Sequence, residues 1–194
     1  MKTFNLFVVE LDRLLNDTIT TEGGLELYID TKYNEFDKRV TEGPVVAVPF
    51  KYDTGVKVGD TLYFHHLVVV NDGQPLTGEH GHYIVKYDPD HTINCQAIAY
   101  KCQETGRVHP MAGWTLLPGV EEAEEQLSDV IELVRLKDSP ITKGMVAFET
   151  AWTKDLGLKE GDVVGFRKNM DYRITIDGTE YYRVRAEDLM YKQN

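Results

Sequence analysis

The sequence predicts an all-β protein built as two tandem β-barrel domains. Three observations predict it. A strand–turn–strand unit occurs twice in the 194 residues, and an internal repeat decides domain organisation before any single residue is read. The apolar runs are short and broken by frequent glycines and turn residues, the pattern of short strands. Two turn signals, Asn71-Asp72-Gly73 and Asp177-Gly178, each lie between segments that read as strands.

The first copy of the repeat runs from Gly43 through the β-branched run Val45, Val46 and Val48 to Gly55, Lys57, Gly59, Asp60 and Phe64. The second opens at Gly144 and reaches Gly157, Lys159, Gly161, Asp162 and Phe166. Both share the spacing Gly-x-Lys-x-Gly-Asp-x-x-x-Phe. The physics of that spacing is plain. β-branched side chains suit a buried strand. Lys-x-Gly-Asp then turns the chain, since Gly takes φ > 0 and Asp bonds its own backbone. The apolar residues that follow start the next strand.

In chain order, Phe4 to Leu11 is the first strand, with Leu6, Val8 and Leu11 inward. Residues 17–39 form a long polar loop with a Gly23-Gly24 hinge and an apolar cluster of Leu25, Leu27, Tyr28 and Ile29. Loops of that length inside a compact domain are functional or disordered. Two readings stand here: a mobile loop that carries an exposed docking patch, or a core strand at Leu25 to Ile29. Lys32 to Glu42 is charged and aperiodic, hence loop. Phe64 to Val70, His82 to Tyr87 and Ile93 to Tyr100 complete the first domain, residues 1–104.

The second domain, residues 105–194, opens with a strand at His109 to Leu117. The segment around 120–140 is acidic. Val120, Ala123, Leu127, Val130, Ile131 and Val134 fit one face of a helix. Equally, Ile131-Glu132-Leu133 echoes Leu25-Glu26-Leu27, and each precedes a Gly strand, so the segment also reads as a second docking loop. The hairpin of Tyr172 to Arg185 and a closing segment, Ala186 to Tyr191, end the domain.

These motifs resemble the barrel core of GroES-type co-chaperonins, in which a Gly strand leads to Val-Lys-x-Gly-Asp-x-Val-x-Phe. Gly24, Leu25, Glu26 and Leu27 resemble the family's mobile-loop tripeptide, which docks on the chaperonin's apical domain. The resemblance extends over nearly the whole chain in two copies and rests on the order of elements. It implies two tandem GroES-like barrels, with contacts through Gly24, Leu25, Glu26, Leu27, Ile131, Glu132 and Leu133. It implies no enzyme activity and no cofactor. The partner it implies is a nucleotide-bound, GroEL-like chaperonin ring, capped by a homo-oligomeric ring of this protein. The family's roof hairpin is shortened to Pro49–Thr54, and His109–Leu117 lacks the charges of the family's opening strand. The duplication and the short roof together suggest a divergent, phage-encoded version.

Several other function classes are set aside by composition. The formal net charge of −11 argues against nucleic acid, which needs a basic face. No apolar stretch approaches the ~20 residues of a membrane helix, and the first residues read as a strand rather than a signal peptide. Two cysteines, Cys95 and Cys102, are too few for a disulfide framework and fit a reducing cytoplasm. No nucleophile elbow or phosphate loop is present. Two alternatives remain. One is a cupin-like metal enzyme using His65 or His66 with Glu79, His80 and His82. The other is a structural virion component.

Overall fold

The computed structural model describes residues 2–31, 35–72, 76, 81–120, 143–167 and 172–193. Strands dominate them, as the short β-branched runs require, and the α-helices are two single turns, α1 (Glu35–Lys38) and α2 (Ala151–Asp155). The chain divides into two compact units, Met1–Ala112 and Gly113–Asn194.

The first unit carries β1 (Leu6–Glu10), β2 (Thr18–Thr20), β3 (Glu26–Tyr28), β4 (Glu42–Ala47), β5 (Thr61–Phe64), β6 (His82–Lys86), β7 (Ala97–Lys101) and β8 (Val108–Pro110). Six of these make one antiparallel sheet in the order β6-β1-β4-β5-β7-β8, open among the described residues. Phe7, Val9, Leu11, Val45, Leu62 and Phe64 anchor its buried core. Of the β1-segment residues expected inward, Val8 and Leu11 are buried and only Leu6 is not, while Phe7 and Val9 are buried as well. The odd residues Phe7 and Val9 enter that cluster with Leu11, while Leu6 is half-buried and Val8 is buried on the opposite strand face. Because β8 pairs with β7, the first compact unit extends to Ala112, past the 104/105 division expected from composition.

Two further expectations change. Phe64 to Val70 is not one strand: β5 stops at Phe64, and His66–Asp72 winds into a 3-10 helix. The cause is local. The His65 carbonyl accepts the Val68 N–H at 2.9 Å, and His65 Nδ1 accepts the Leu67 N–H at 3.1 Å. Val68 and Val69 still reach the core, but from a helical backbone. Likewise Thr92–Asn94 is a 3-10 turn ahead of β7, and Ile93 is exposed.

The second unit carries β9 (Trp114–Leu117), β10 (Lys143–Met145), β11 (Val163–Phe166), β12 (Tyr172–Ile176), β13 (Thr179–Arg185) and β14 (Leu189–Lys192). They form two three-stranded sheets, β10-β11-β14 and β12-β13-β9. Leu117, Val146, Val164, Phe166, Tyr182 and Val184 share a core. Asp177 (φ 50°) and Gly178 (φ 77°) make the two-residue hairpin turn between β12 and β13, the left-handed pair such a turn needs. Arg183 is buried under the rings of Trp114 and Tyr172, and burial pushes its guanidinium down to about 10. The choice between helix and loop for the acidic segment falls on residues outside those described.

The two Lys-x-Gly-Asp turns have the same backbone hydrogen bonds. In the first, Lys57 N–H donates to Asp60 Oδ2 at 2.8 Å, Gly59 N–H to Val45 O at 2.9 Å, and Val45 N–H to Asp60 O at 2.8 Å. In the second, Lys159 N–H donates to Asp162 Oδ2 at 2.8 Å, Gly161 N–H to Val146 O at 2.9 Å, and Val146 N–H to Asp162 O at 2.8 Å. Gly59 and Gly161 lie at φ 95° and 89°, where a side chain is strained.

Candidate functional site

Within the segment expected as a loop, residues 18–28 form a two-stranded hairpin. Thr18, Ile19 and Thr20 are β-branched, and they pair antiparallel with Glu26, Leu27 and Tyr28 in the register Thr18↔Tyr28, Ile19↔Leu27, Thr20↔Glu26. Thr21 closes the tip. Its N–H donates to Leu25 O at 2.9 Å, its carbonyl accepts the Gly24 N–H at 2.9 Å, and its Oγ1 accepts the Leu25 N–H at 3.1 Å. Gly24 sits at φ 80°, which supplies the hinge that the glycine pair suggests. The base is held by Ile29 N–H to Asp17 O, Asn16 N–H to Lys38 O, and Val40 N–H to Leu14 O. Next to that base Arg39 is buried and donates from Nε and Nη2 to Glu35 Oε1 at 3.1 and 2.8 Å.

The hairpin carries a concentrated apolar surface. Leu25 is 61 % exposed, Leu27 47 %, Ile19 52 % and Tyr28 83 %. None belongs to the buried core, so the reading of Leu25 to Ile29 as a core strand is corrected. A two-stranded hairpin of this size is marginal on its own in water. Exposed aliphatic side chains are thus clustered on this arm.

The structure thus brings Gly24, Leu25, Glu26 and Leu27 together on one hairpin arm. Ile131, Glu132 and Leu133 lie outside the described residues. Ile19 was not legible as part of the patch, because only the strand register places it opposite Leu27.

The residues of the metal alternative are spread differently. The His65 and His66 rings lean on one another, with centroids 4.3 Å apart, and His82 lies on β6 opposite Glu10. Glu79 and His80 lie outside the described residues, among which no group of three or more His, Cys, Asp or Glu side chains is placed to hold a metal. Cys95 is a buried core residue whose Sγ donates to Ala97 O at 3.3 Å. The Cys102 thiol is pulled below its usual range by hydrogen bonding to Thr105. No helix among the described residues is long and apolar enough to cross a membrane.

No family model matches the chain. The chain is 30% identical over 81 residues to the co-chaperonin GroES of Rubrobacter xylanophilus. The matched stretch is 42% of this chain and 90% of that protein. Nearly the full length of a GroES is therefore spanned by less than half of this sequence, and the chain belongs to the GroES co-chaperonin family.

Proposed function

We propose that this protein is a co-chaperonin that caps a GroEL-type chaperonin ring in its nucleotide-bound state and helps enclose a folding substrate. It works by contact alone, with no chemistry of its own. The observation that carries the reading is the β2–β3 hairpin, which presents Leu25 and Leu27 outside the core of the first unit. Each leucine buried in a partner groove contributes roughly 1.5–3 kcal/mol. Ordering a marginal segment costs roughly 2–5 kcal/mol. A single arm therefore binds weakly, and tight capping needs several arms linked in one assembly.

The same reading takes the chain as two GroES-like barrels in tandem. It is supported by the matching hydrogen bonds of the two Lys-x-Gly-Asp turns. It is supported also by a relative that fits within less than half of the chain. A homo-oligomeric ring is supported by the strand edges. β7 is flanked by both β5 and β8, whereas among the described residues β14 pairs with β11 alone, leaving an edge for a neighbouring copy. Unpaired edges of this kind accept strands.

The test is co-sedimentation with a GroEL-type ring in the presence and absence of ATP. Wild type is expected to pellet with the ring only with nucleotide. Leu25→Ala/Leu27→Ala is expected to stay in the supernatant while retaining the wild-type urea midpoint. Equal co-sedimentation of the double variant removes the hairpin from the contact, and a wild type that never co-sediments removes the co-chaperonin reading.

A further inference from the structure

We infer that Ile19, on the strand opposite the Gly24–Leu27 segment, is a third aliphatic contact of the docking face. The inference rests on the co-chaperonin reading above and adds a residue to its site. Directly opposed residues of an antiparallel pair project to the same face, and neighbours along a strand to opposite faces. Ile19 opposes Leu27, and Leu25 lies two residues from Leu27 with its carbonyl bonded to Thr21 N–H. Ile19, Leu25 and Leu27 therefore share one side of the hairpin. Thr18, Thr20, Glu26 and Tyr28 share the other.

The two faces differ in chemistry. One offers three aliphatic side chains, 52 %, 61 % and 47 % exposed, without a charge among them. The other carries two threonines, the Glu26 carboxylate and the highly exposed Tyr28. A partner groove lined with apolar side chains matches the first face and would have to desolvate Glu26 to take the second. The hydrogen bonds that Thr21 makes at the tip hold the two strands in the register that puts Ile19 beside Leu27. The docking surface thus spans both strands of the hairpin instead of one linear tripeptide.

Three single variants separate this from a hairpin that is merely apolar: Ile19→Ser, Ile19→Leu and Tyr28→Ser, each titrated against a GroEL-type ring with ATP. Both sites lie outside the buried core, so the urea midpoint is expected to stay at the wild-type value and serves as the folding control. Ile19→Ser is expected to raise the half-saturating concentration by about tenfold or more, the scale of one lost aliphatic burial. Ile19→Leu is expected to restore binding, and Tyr28→Ser to change it by less than about twofold, as for a residue left outside the contact. If Ile19→Ser binds like wild type while Leu25→Ala/Leu27→Ala does not, the inference fails and the docking reading stands. If Tyr28→Ser weakens binding as much as Ile19→Ser, the assignment of the face is wrong. If wild type does not bind, the docking reading fails and the inference falls with it.

Discussion

The two Lys-x-Gly-Asp turns share their backbone and differ in their setting. Asp60 is 3 % exposed, and its second oxygen accepts the Gln103 N–H at 2.9 Å, from the turn that follows β7. Asp162 is more exposed, and its Oδ2 takes Lys192 Nζ at 2.7 Å, from the end of β14. The segments ahead of the turns also differ. In the first unit, Phe50 and Lys51 donate their N–H groups to Thr3 and Phe4. In the second, Thr150 caps α2 with a reciprocal Thr150–Thr153 pair. The turn itself is written by a few local residues. How deeply it is embedded depends on what each unit lays against the aspartate, the turn after β7 in the first and the end of β14 in the second.

The largest expected effect comes from breaking the buried version. Asp60→Ala leaves the Lys57 and Gln103 N–H groups without their carboxylate, which should cost about 2–4 kcal/mol in urea unfolding. Asp162→Ala, made in the same way, should cost clearly less, because a solvent-exposed ion pair contributes little. Equal losses from the two variants would contradict the difference in embedding.

The glycines that open the two repeats sharpen the comparison next. A Cβ on Gly144 would meet Leu117 Cβ at 2.6 Å and Pro118 O at 3.1 Å, a side-chain atom fixed directly to the backbone and a backbone atom. A Cβ on Gly43 would meet Leu11 Cδ2 at 2.6 Å, the free end of a flexible side chain, and Glu10 O at 3.0 Å. Gly144→Ala should therefore destabilise by about 2–3 kcal/mol and Gly43→Ala by about 1 kcal/mol. Thermal unfolding of the two variants checks the order.

The smallest effect is electrostatic. The Lys192 ammonium, with the Lys159 N–H, holds the Asp162 carboxyl below its usual range. A depressed folded-state pKa adds stability above the unfolded value, near ~3.9, and that stability is lost as pH falls through the folded pKa. Wild type should thus exceed Lys192→Met in urea midpoint near neutral pH, and the gap should close on acidification below about pH 4. A gap that persists at low pH would place its origin in packing of the lysine stem instead.

The parts of the fold readable in the sequence are those whose physics is local. Gly59, Asp60, Gly161 and Asp162 set their turns through φ and through carboxylate bonds to backbone three residues away, so the turns are readable without their distant partners. The parts that escaped turn on one residue's particular bonds or on partners far along the chain. The β-branched run after Phe64 reads as strand, yet His65 spends its N–H on Gln96 and its carbonyl on Val68, and the run coils. The phase of β1 is ambiguous in a segment where Phe7, Val8 and Val9 are all buried. The candidate site was half legible: Gly24, Leu25 and Leu27 stand out by a glycine hinge, an apolar cluster and their resemblance to the family's mobile-loop tripeptide. Ile19 joins them only through a register that no short window of sequence contains.

The most direct test of the account is hydrogen exchange at the amides of Thr18 to Tyr28. These belong to a two-stranded arm with exposed apolar side chains, so exchange in the free protein should be fast compared with β1, β4 and β5. Adding a GroEL-type ring with ATP should protect the hairpin amides, whereas the ring without nucleotide should leave them unchanged. Hairpin amides that exchange at the same rate with the ATP-bound ring as without it, under conditions where the protein co-sediments, would contradict the claim that this hairpin is the docking element.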